Sequence, residues 1–176
     1  MKKKNIIESI VIFIISVLSH FTYDIIKMPI LSIFFPVNES IFEHMKLIIT
    51  PVLIYTLGKY LYYKYKNMNT DNMFLASVIS SILGIIGYLI VYLPVDNIIG
   101  YNTFFAIGLL FITFIFIVNI DKILIKRLNI KHNNLLALII IVITYIIFTY
   151  LTYRPPHNYL FLDITNNSYG IKKDKF

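Results

Sequence analysis

The chain has 176 residues, of which 58% are hydrophobic and 14% are charged, and its mean hydropathy is +0.76. This composition excludes a soluble globular domain of ordinary type and predicts a polytopic protein whose main partner is the lipid bilayer. The formal net charge of +7 does not indicate nucleic acid, because the basic residues lie in short clusters at the ends of apolar runs. Without cysteine, any chemistry depends on histidine, carboxylate and hydroxyl groups.

Five apolar stretches approach or exceed the roughly 20 residues that cross about 30 Å of hydrocarbon. They lie at residues 6–26, 40–62, 73–94, 103–118 and 135–153. We therefore expect an all-α integral membrane protein with a single membrane domain, residues 1–176. It is predicted to be a bundle of five transmembrane helices with a short interfacial segment after the first and an ordered extracytoplasmic C-terminal tail, residues 154–176.

The positions of lysine and arginine predict the orientation of the bundle. If five spans alternate, the basic clusters within residues 2–4, 59–66 and 122–131 share one side, which the positive-inside rule makes cytoplasmic. The N-terminus is then cytoplasmic and the C-terminus extracytoplasmic. Heavy use of Ile, Lys, Asn and Tyr suggests an AT-rich bacterial genome, and hence the bacterial plasma membrane.

The loops and the third span lead to three smaller predictions. Asp96 falls in the loop after the third span, and Asn119 and Asp121 fall in a solvated loop after the fourth. On the third span, Gly84 belongs to a stripe of small residues that allows a neighbouring helix to approach closely.

Segment 36–46, PVNESIFEHMK, begins the second span and puts four ionisable side chains into eight residues at the mouth of a long apolar run. Ser40 and Glu43 have the spacing of a capping box, with Asn38 as a rival N-cap, so a helix is predicted to start here. At about 100° per residue, Glu39, Glu43 and Lys46 share an arc of roughly 60°. The motif therefore predicts a charged helix face at the mouth of a membrane span.

Two interpretations of this motif are open. Glu39 and Glu43 can simply complement the helix N-terminus while His44 lies among the headgroups and Lys46 extends outward. Alternatively, because ionisable groups are costly in hydrocarbon, they mark a functional site.

Two other segments are predicted to meet the motif at the outer face. On the first span, His20 and Asp24 lie on one polar arc, with His20 about two turns inside the boundary. After the fifth span, Pro155 and Pro156 stop the helix, and the tail is predicted to fold back and hold His157 and Asp163 over the site.

Two motifs carry a resemblance to a family of uncharacterised bacterial integral membrane proteins with a domain of unknown function. Segment 36–47 is similar to that family's PVNES, an aromatic residue and EHLKL, and segment 155–171 is similar to its PPH, LF and D-P-x-T-G-T-Y-G-I. The resemblance spans essentially the whole chain and implies a fold and a site without naming a reaction. Ile164 replaces the family's proline, and Asn167 stands where its glycine would be, a position where asparagine tolerates a left-handed conformation.

A second resemblance concerns Ser16 and His20, whose Ser-x-x-x-His spacing is similar to one motif of membrane-embedded zinc hydrolases of the alkaline-ceramidase and adiponectin-receptor type. The closing His-x-x-x-His of those enzymes does not occur in this sequence.

The first functional hypothesis is metal-dependent hydrolysis of a lipid or cell-envelope substrate at an outward-facing site. The cofactor is then a divalent metal such as zinc, and either glutamate can act as the general base. The residues predicted for this site fall into three groups: His20, His44, His157 and Asp163 as metal ligands, Glu39 and Glu43 as catalytic carboxylates, and Asn38, Ser40, Lys46 and Asp24 as supporting residues.

Two alternatives stay open. The same groups can bind a cation or relay protons in a transporter component, which would need a homo-oligomer or a partner membrane subunit. They can also form a hydrogen-bonded clamp in a non-catalytic membrane assembly protein.

Overall fold

The structure is a computed structural model that describes residues 3–128 and 133–171. Lys2 and Lys131, which belong to two of the predicted basic clusters, and the lysines after residue 171 lie outside the described residues. The orientation predicted from them therefore stays a prediction.

Six α-helices make up most of the part of the chain that the structure describes. They are α1 (Lys3–Ile25), α2 (Ile41–His44), α3 (Lys46–Tyr65), α4 (Met73–Ile99), α5 (Thr103–Arg127) and α6 (Asn133–Tyr153). Two 3-10 helices, Pro29–Ile33 and Tyr159–Phe161, and two short strands, β1 (Leu162–Asp163) and β2 (Ser168–Tyr169), complete the fold. Taking α2 and α3 as one span, five helices within residues 3–128 and 133–171 are long and apolar enough to cross a membrane, which confirms the predicted fold class.

Helix α4 lies at the centre of the bundle, against α3, α5 and α6, while α1 packs on α3 and α5. One buried core, containing Ile49, Leu75 and Phe148, joins α3, α4 and α6. A second, containing Ile12 and Phe114, joins α1, α3, α4 and α5. Many large apolar side chains instead lie exposed on the outside of the helices, as expected where lipid is the solvent.

Pro51 lies inside α3 and determines one contact with α1. A residue at position 51 would normally donate its backbone N–H to the carbonyl of Leu47, but proline has no N–H. The Leu47 carbonyl instead accepts a hydrogen bond of 2.8 Å from the Ser16 hydroxyl on α1. The interrupted ladder of α3 thus becomes a link between the first two spans.

Two helices run further than their apolar stretches, so the loop positions predicted for Asp96, Asn119 and Asp121 are wrong. Helix α4 continues to Ile99, where Asp96 is buried and accepts a hydrogen bond from Tyr159 of the tail. Helix α5 continues to Arg127, and Asn119 accepts a hydrogen bond of 2.7 Å from Asn5 on α1. Hydropathy ends these spans early because it does not register polar groups that are satisfied across the bundle.

The bundle has two ends. The motif and the tail lie at one end, here called the motif end, together with the C-terminus of α1. The start of α1 lies near the ends of α3 and α5 at the opposite end, since Glu8 approaches both Lys59 and Lys122.

The tail is a small ordered unit at the motif end. Its strands β1 and β2 pair antiparallel, with Asp163 opposite Ser168. The turn between them contains Asn167 at φ 49°, the left-handed conformation for which asparagine is suited. Asn38 of the motif donates a hydrogen bond of 3.0 Å to the Gly170 carbonyl, which ties the tail to the motif.

Candidate functional site

The helix start at the motif depends on Ser40 and Asn38. The Ser40 hydroxyl accepts a 3.3 Å hydrogen bond from the Glu43 backbone N–H, which is one half of the predicted capping box. The other half does not form, because the Asn38 side chain accepts the Ser40 N–H at 2.9 Å. The Glu43 carboxylate is therefore free to turn into the protein, while Glu39 lies ahead of the helix.

Glu43 and Lys46 form a buried ion pair with an N–O distance of 2.7 Å. The Glu43 carboxylate also accepts hydrogen bonds from the Thr152 hydroxyl at 2.7 Å and the Val37 N–H at 3.1 Å. The Lys46 ammonium donates further bonds to the Ser32 carbonyl at 2.7 Å and to Thr152 at 2.8 Å. We call this set the buried clamp, since it joins the motif, the 3-10 helix Pro29–Ile33 and α6.

His20, Glu39 and His44 form a second, open group. One oxygen of Glu39 lies 3.6 Å from Nε2 of His20 and 3.5 Å from Nε2 of His44. One potential ligand atom from each residue lies within 4.8 Å of the others, and all three residues are half-buried. Among the described residues, this is the group that could hold a metal ion.

Hydrogen bonding prepares these side chains for binding. Nδ1 of His44 lies 2.8 Å from the Ser40 carbonyl, which favours a proton on Nδ1 and a lone pair on Nε2. Nδ1 of His20 is buried and has no hydrogen-bond partner among the described residues. When no metal is bound and Nε2 of each histidine carries a proton, the His20 and His44 side chains hold the pKa of Glu39 well below its usual range, so that its carboxylate is ionised.

Two cavities meet at this group, and His20 and Glu39 line both of them. A polar cavity of about 240 Å³ lies under the tail, with Asp24, Asn38 and Asp163 in its wall. An apolar cavity of about 310 Å³ lies between α1 and α5, with Phe13 and Leu110 in its wall. The group thus stands at a boundary between a polar and an apolar space.

The tail residues predicted for the site are placed differently from the open group. Asp163 is buried and lines the polar cavity, but its oxygens already accept hydrogen bonds from Thr165 and Asn166 within its own turn. His157 is exposed and stacks on Tyr169 with ring centroids 4.6 Å apart. The structure therefore brings together His20, Glu39 and His44, with Asp24 and Asp163 in the same cavity wall, and leaves His157 outside that group.

Sequence reasoning missed a polar cluster at the opposite end. Glu8 is buried, and its carboxylate lies 2.8 Å from the Lys122 ammonium and 3.5 Å from that of Lys59. Asn5, Glu8 and Ser9 share the buried side of α1. That polar spacing on an apolar helix was the signal available in the sequence.

Comparison with known proteins identifies one family. A family of unknown function (DUF6512) matches residues 1–171 of this chain. No curated protein and no solved structure matches this chain.

Proposed function

The chain belongs to the family of unknown function DUF6512, and we propose that its motif end binds a divalent metal and hydrolyses an ester of a membrane amphiphile. One observation carries this proposal. Two imidazoles and one carboxylate, from His20, His44 and Glu39, have ligand atoms within 4.8 Å at the boundary of a polar and an apolar cavity.

The spacing of these atoms suits a metal better than a direct hydrogen bond. Ligands about 2.0–2.1 Å from a tetrahedral zinc ion lie about 3.3 Å from one another. The His20–Glu39 and His44–Glu39 separations of 3.6 and 3.5 Å are close to that value and long for a hydrogen bond. Two histidines with one glutamate are a known catalytic zinc set, which leaves a fourth position for water or substrate.

The cavities suggest the kind of substrate. An amphiphile would place its polar head under the tail, beside Asn38 and Asp163, and its chain between α1 and α5, beside Phe13 and Leu110. The bond joining head and chain would then lie next to the metal. A single metal suits a carbonyl group, whose oxygen it polarises as a Lewis acid, whereas paired metals are typical of phosphoryl transfer.

The proposed reaction is the hydrolysis of an ester. A water molecule adds to the ester carbonyl carbon, and the carbon–oxygen bond to the alcohol part then breaks. Asp24, in the wall of the polar cavity, takes the proton from water and returns it to the departing alkoxide. The products are a carboxylic acid and an alcohol.

Both carboxylates predicted to be catalytic take a different role here. Glu39 becomes a metal ligand instead of a catalytic carboxylate. Glu43 becomes a structural residue, because its carboxylate is buried and accepts hydrogen bonds from Lys46, Thr152 and Val37.

Metal content of the detergent-purified protein, prepared without chelator and equilibrated with zinc, tests the binding step. The wild type is expected to hold about one zinc ion, and His20→Ala and Glu39→Gln are expected to lose it. His157→Ala is the matched control, since this exposed histidine stacks on Tyr169 outside the group. A folded wild type without zinc, or an equal loss of zinc in His157→Ala, would refute the metal site. The ion-transport and assembly hypotheses would then be preferred.

The hydrolytic step needs its own measurement. Metal-loaded protein is incubated with a membrane lipid extract, and released fatty acids are quantified by mass spectrometry against Asp24→Asn. Release by the wild type and a loss of about a hundredfold in Asp24→Asn are expected, in line with removal of a general base. If the metal-loaded protein releases no fatty acid, the proposed metal site stands but the proposed hydrolase activity is refuted.

A further inference from the structure

At the end opposite the motif, we propose a binding site for one anionic phospholipid, with its phosphate in a basic cavity and an acyl chain in an adjoining groove. This inference does not depend on the proposed hydrolase. Glu8 and His20 lie on the same helix about 18 Å apart along its axis, so the two sites are separate.

The cavity has a volume of about 730 Å³ and opens between the start of α1 and the ends of α3 and α5. Its charged lining consists of five basic residues and one acidic residue: Lys4, Lys59, Lys122, Lys126, Arg127 and Glu8. Three separate helices supply these side chains, so the fold adds Lys4 and Lys59 to the basic residues that α5 contributes.

Ion pairs position part of this lining. Glu8 pairs with Lys122 at 2.8 Å and with Lys59 at 3.5 Å, and Lys122 also donates to the Asn5 side chain at 2.7 Å. These contacts hold two ammonium groups against the cavity wall. Within the described ranges, Lys4, Lys126 and Arg127 have no ion-pair partner, which leaves three positive charges for a ligand.

A phosphate group matches that chemistry. Arginine presents a fork that binds two phosphate oxygens, and lysine adds point charge. Basic pockets between transmembrane helices are typical binding places for anionic headgroups. The cavity lies at the end of α5, where the last turn contains Lys126 and Arg127, and therefore at the depth of headgroups in a bilayer.

A second cavity of about 680 Å³ adjoins the first. Its presence favours a lipid over a free anion as the ligand. It follows the groove between α1 and α3, and Lys4, Glu8 and Lys59 line both cavities. Further along, its wall is formed by Ile15 and Ile54. A phosphate at the basic cavity would thus have an apolar channel beside it for an acyl chain.

The test counts lipids bound to the intact protein. Purified protein is mixed in detergent with equal amounts of phosphatidylglycerol and phosphatidylcholine, and bound lipid is counted by native mass spectrometry. The wild type is expected to retain one phosphatidylglycerol in preference to phosphatidylcholine. The double variant Lys126→Gln with Arg127→Gln is expected to lose about tenfold or more of that retention, since each basic residue contributes to headgroup attraction.

The matched control is Lys64→Gln with Lys66→Gln, which removes equal charge from exposed positions at the same end but outside both cavities. Retention unchanged in this control supports the site, whereas equal loss in both double variants would show only general attraction and overturn the proposal. Inorganic phosphate that binds as tightly as phosphatidylglycerol would also overturn it, because the groove would then contribute nothing. Lys126 and Arg127 are exposed, so a melting temperature equal to that of the wild type should accompany the expected loss.

Discussion

Removing the charge of Glu43 should destabilise the protein far more than removing the charge of Glu39, although the two lie four residues apart. The Glu43 side chain is 2% exposed and that of Lys46 is 0% exposed, so Glu43→Gln leaves a buried ammonium without its counter-ion. Breaking such a pair costs about 3–5 kcal/mol. For a chain of this length, that corresponds to a fall in melting temperature of about 6–20 °C.

Glu39→Gln is the matched control. The Glu39 side chain is 33% exposed and lies 3.5–3.6 Å from its histidine partners, so its loss should cost less than about 1 kcal/mol. Thermal unfolding of the metal-free protein in detergent, followed by far-ultraviolet circular dichroism, measures both changes. Lys46→Met should resemble Glu43→Gln, and the double variant should lose less than the sum of the two. Equal melting temperatures for Glu43→Gln and Glu39→Gln would refute the assignment of Glu43 to a buried clamp.

Two further predictions concern the tail and the helix packing. Burial raises the pKa of Asp163, but hydrogen bonds from its own turn lower it more, so it lies below its ordinary value of 3.8. Because the folded pKa is the lower one, the stabilisation is present above about pH 4 and is lost as the pH falls below it. Asp163→Asn should abolish that dependence and speed amide exchange in the turn about tenfold at neutral pH, while unchanged exchange would contradict this role. In Gly84→Ala, the new Cβ would lie 2.5 Å from a side-chain carbon of Ile117, so thermal unfolding should show a loss of about 1–3 kcal/mol. Gly87→Ala, where the new Cβ has no neighbour within 4 Å apart from the adjoining residues and backbone of its own helix, is the control that should not lose stability.

The candidate site could be predicted only in part. The motif indicated where polar groups enter the bundle, and His20 and His44 do lie beside Glu39. Helical periodicity wrongly placed Glu39 on the same face as Glu43 and Lys46, because the helix begins only at Ile41 and the 3.6-residue period does not apply ahead of it. Residues on either side of a helix start can therefore point to different surroundings.

The opposite end shows a different limit. In the sequence, Lys126 and Arg127 have the positions of topology signals, and Glu8 is a single acidic residue near the start of an apolar run. Their meeting in one cavity depends on how α1, α3 and α5 are rotated about their axes, which hydropathy does not specify.

By itself, the sequence determined the membrane class, the number of spans and the helix start at Ser40, since these depend on local hydrophobicity, length and capping. The tertiary structure alone decided that Glu43 and Lys46 are buried and satisfied while Glu39 and His44 open onto cavities. That division arises because the partners Thr152, Ser32 and His20 come from other segments of the chain. Their distances are set by the packing of whole helices rather than by neighbouring residues.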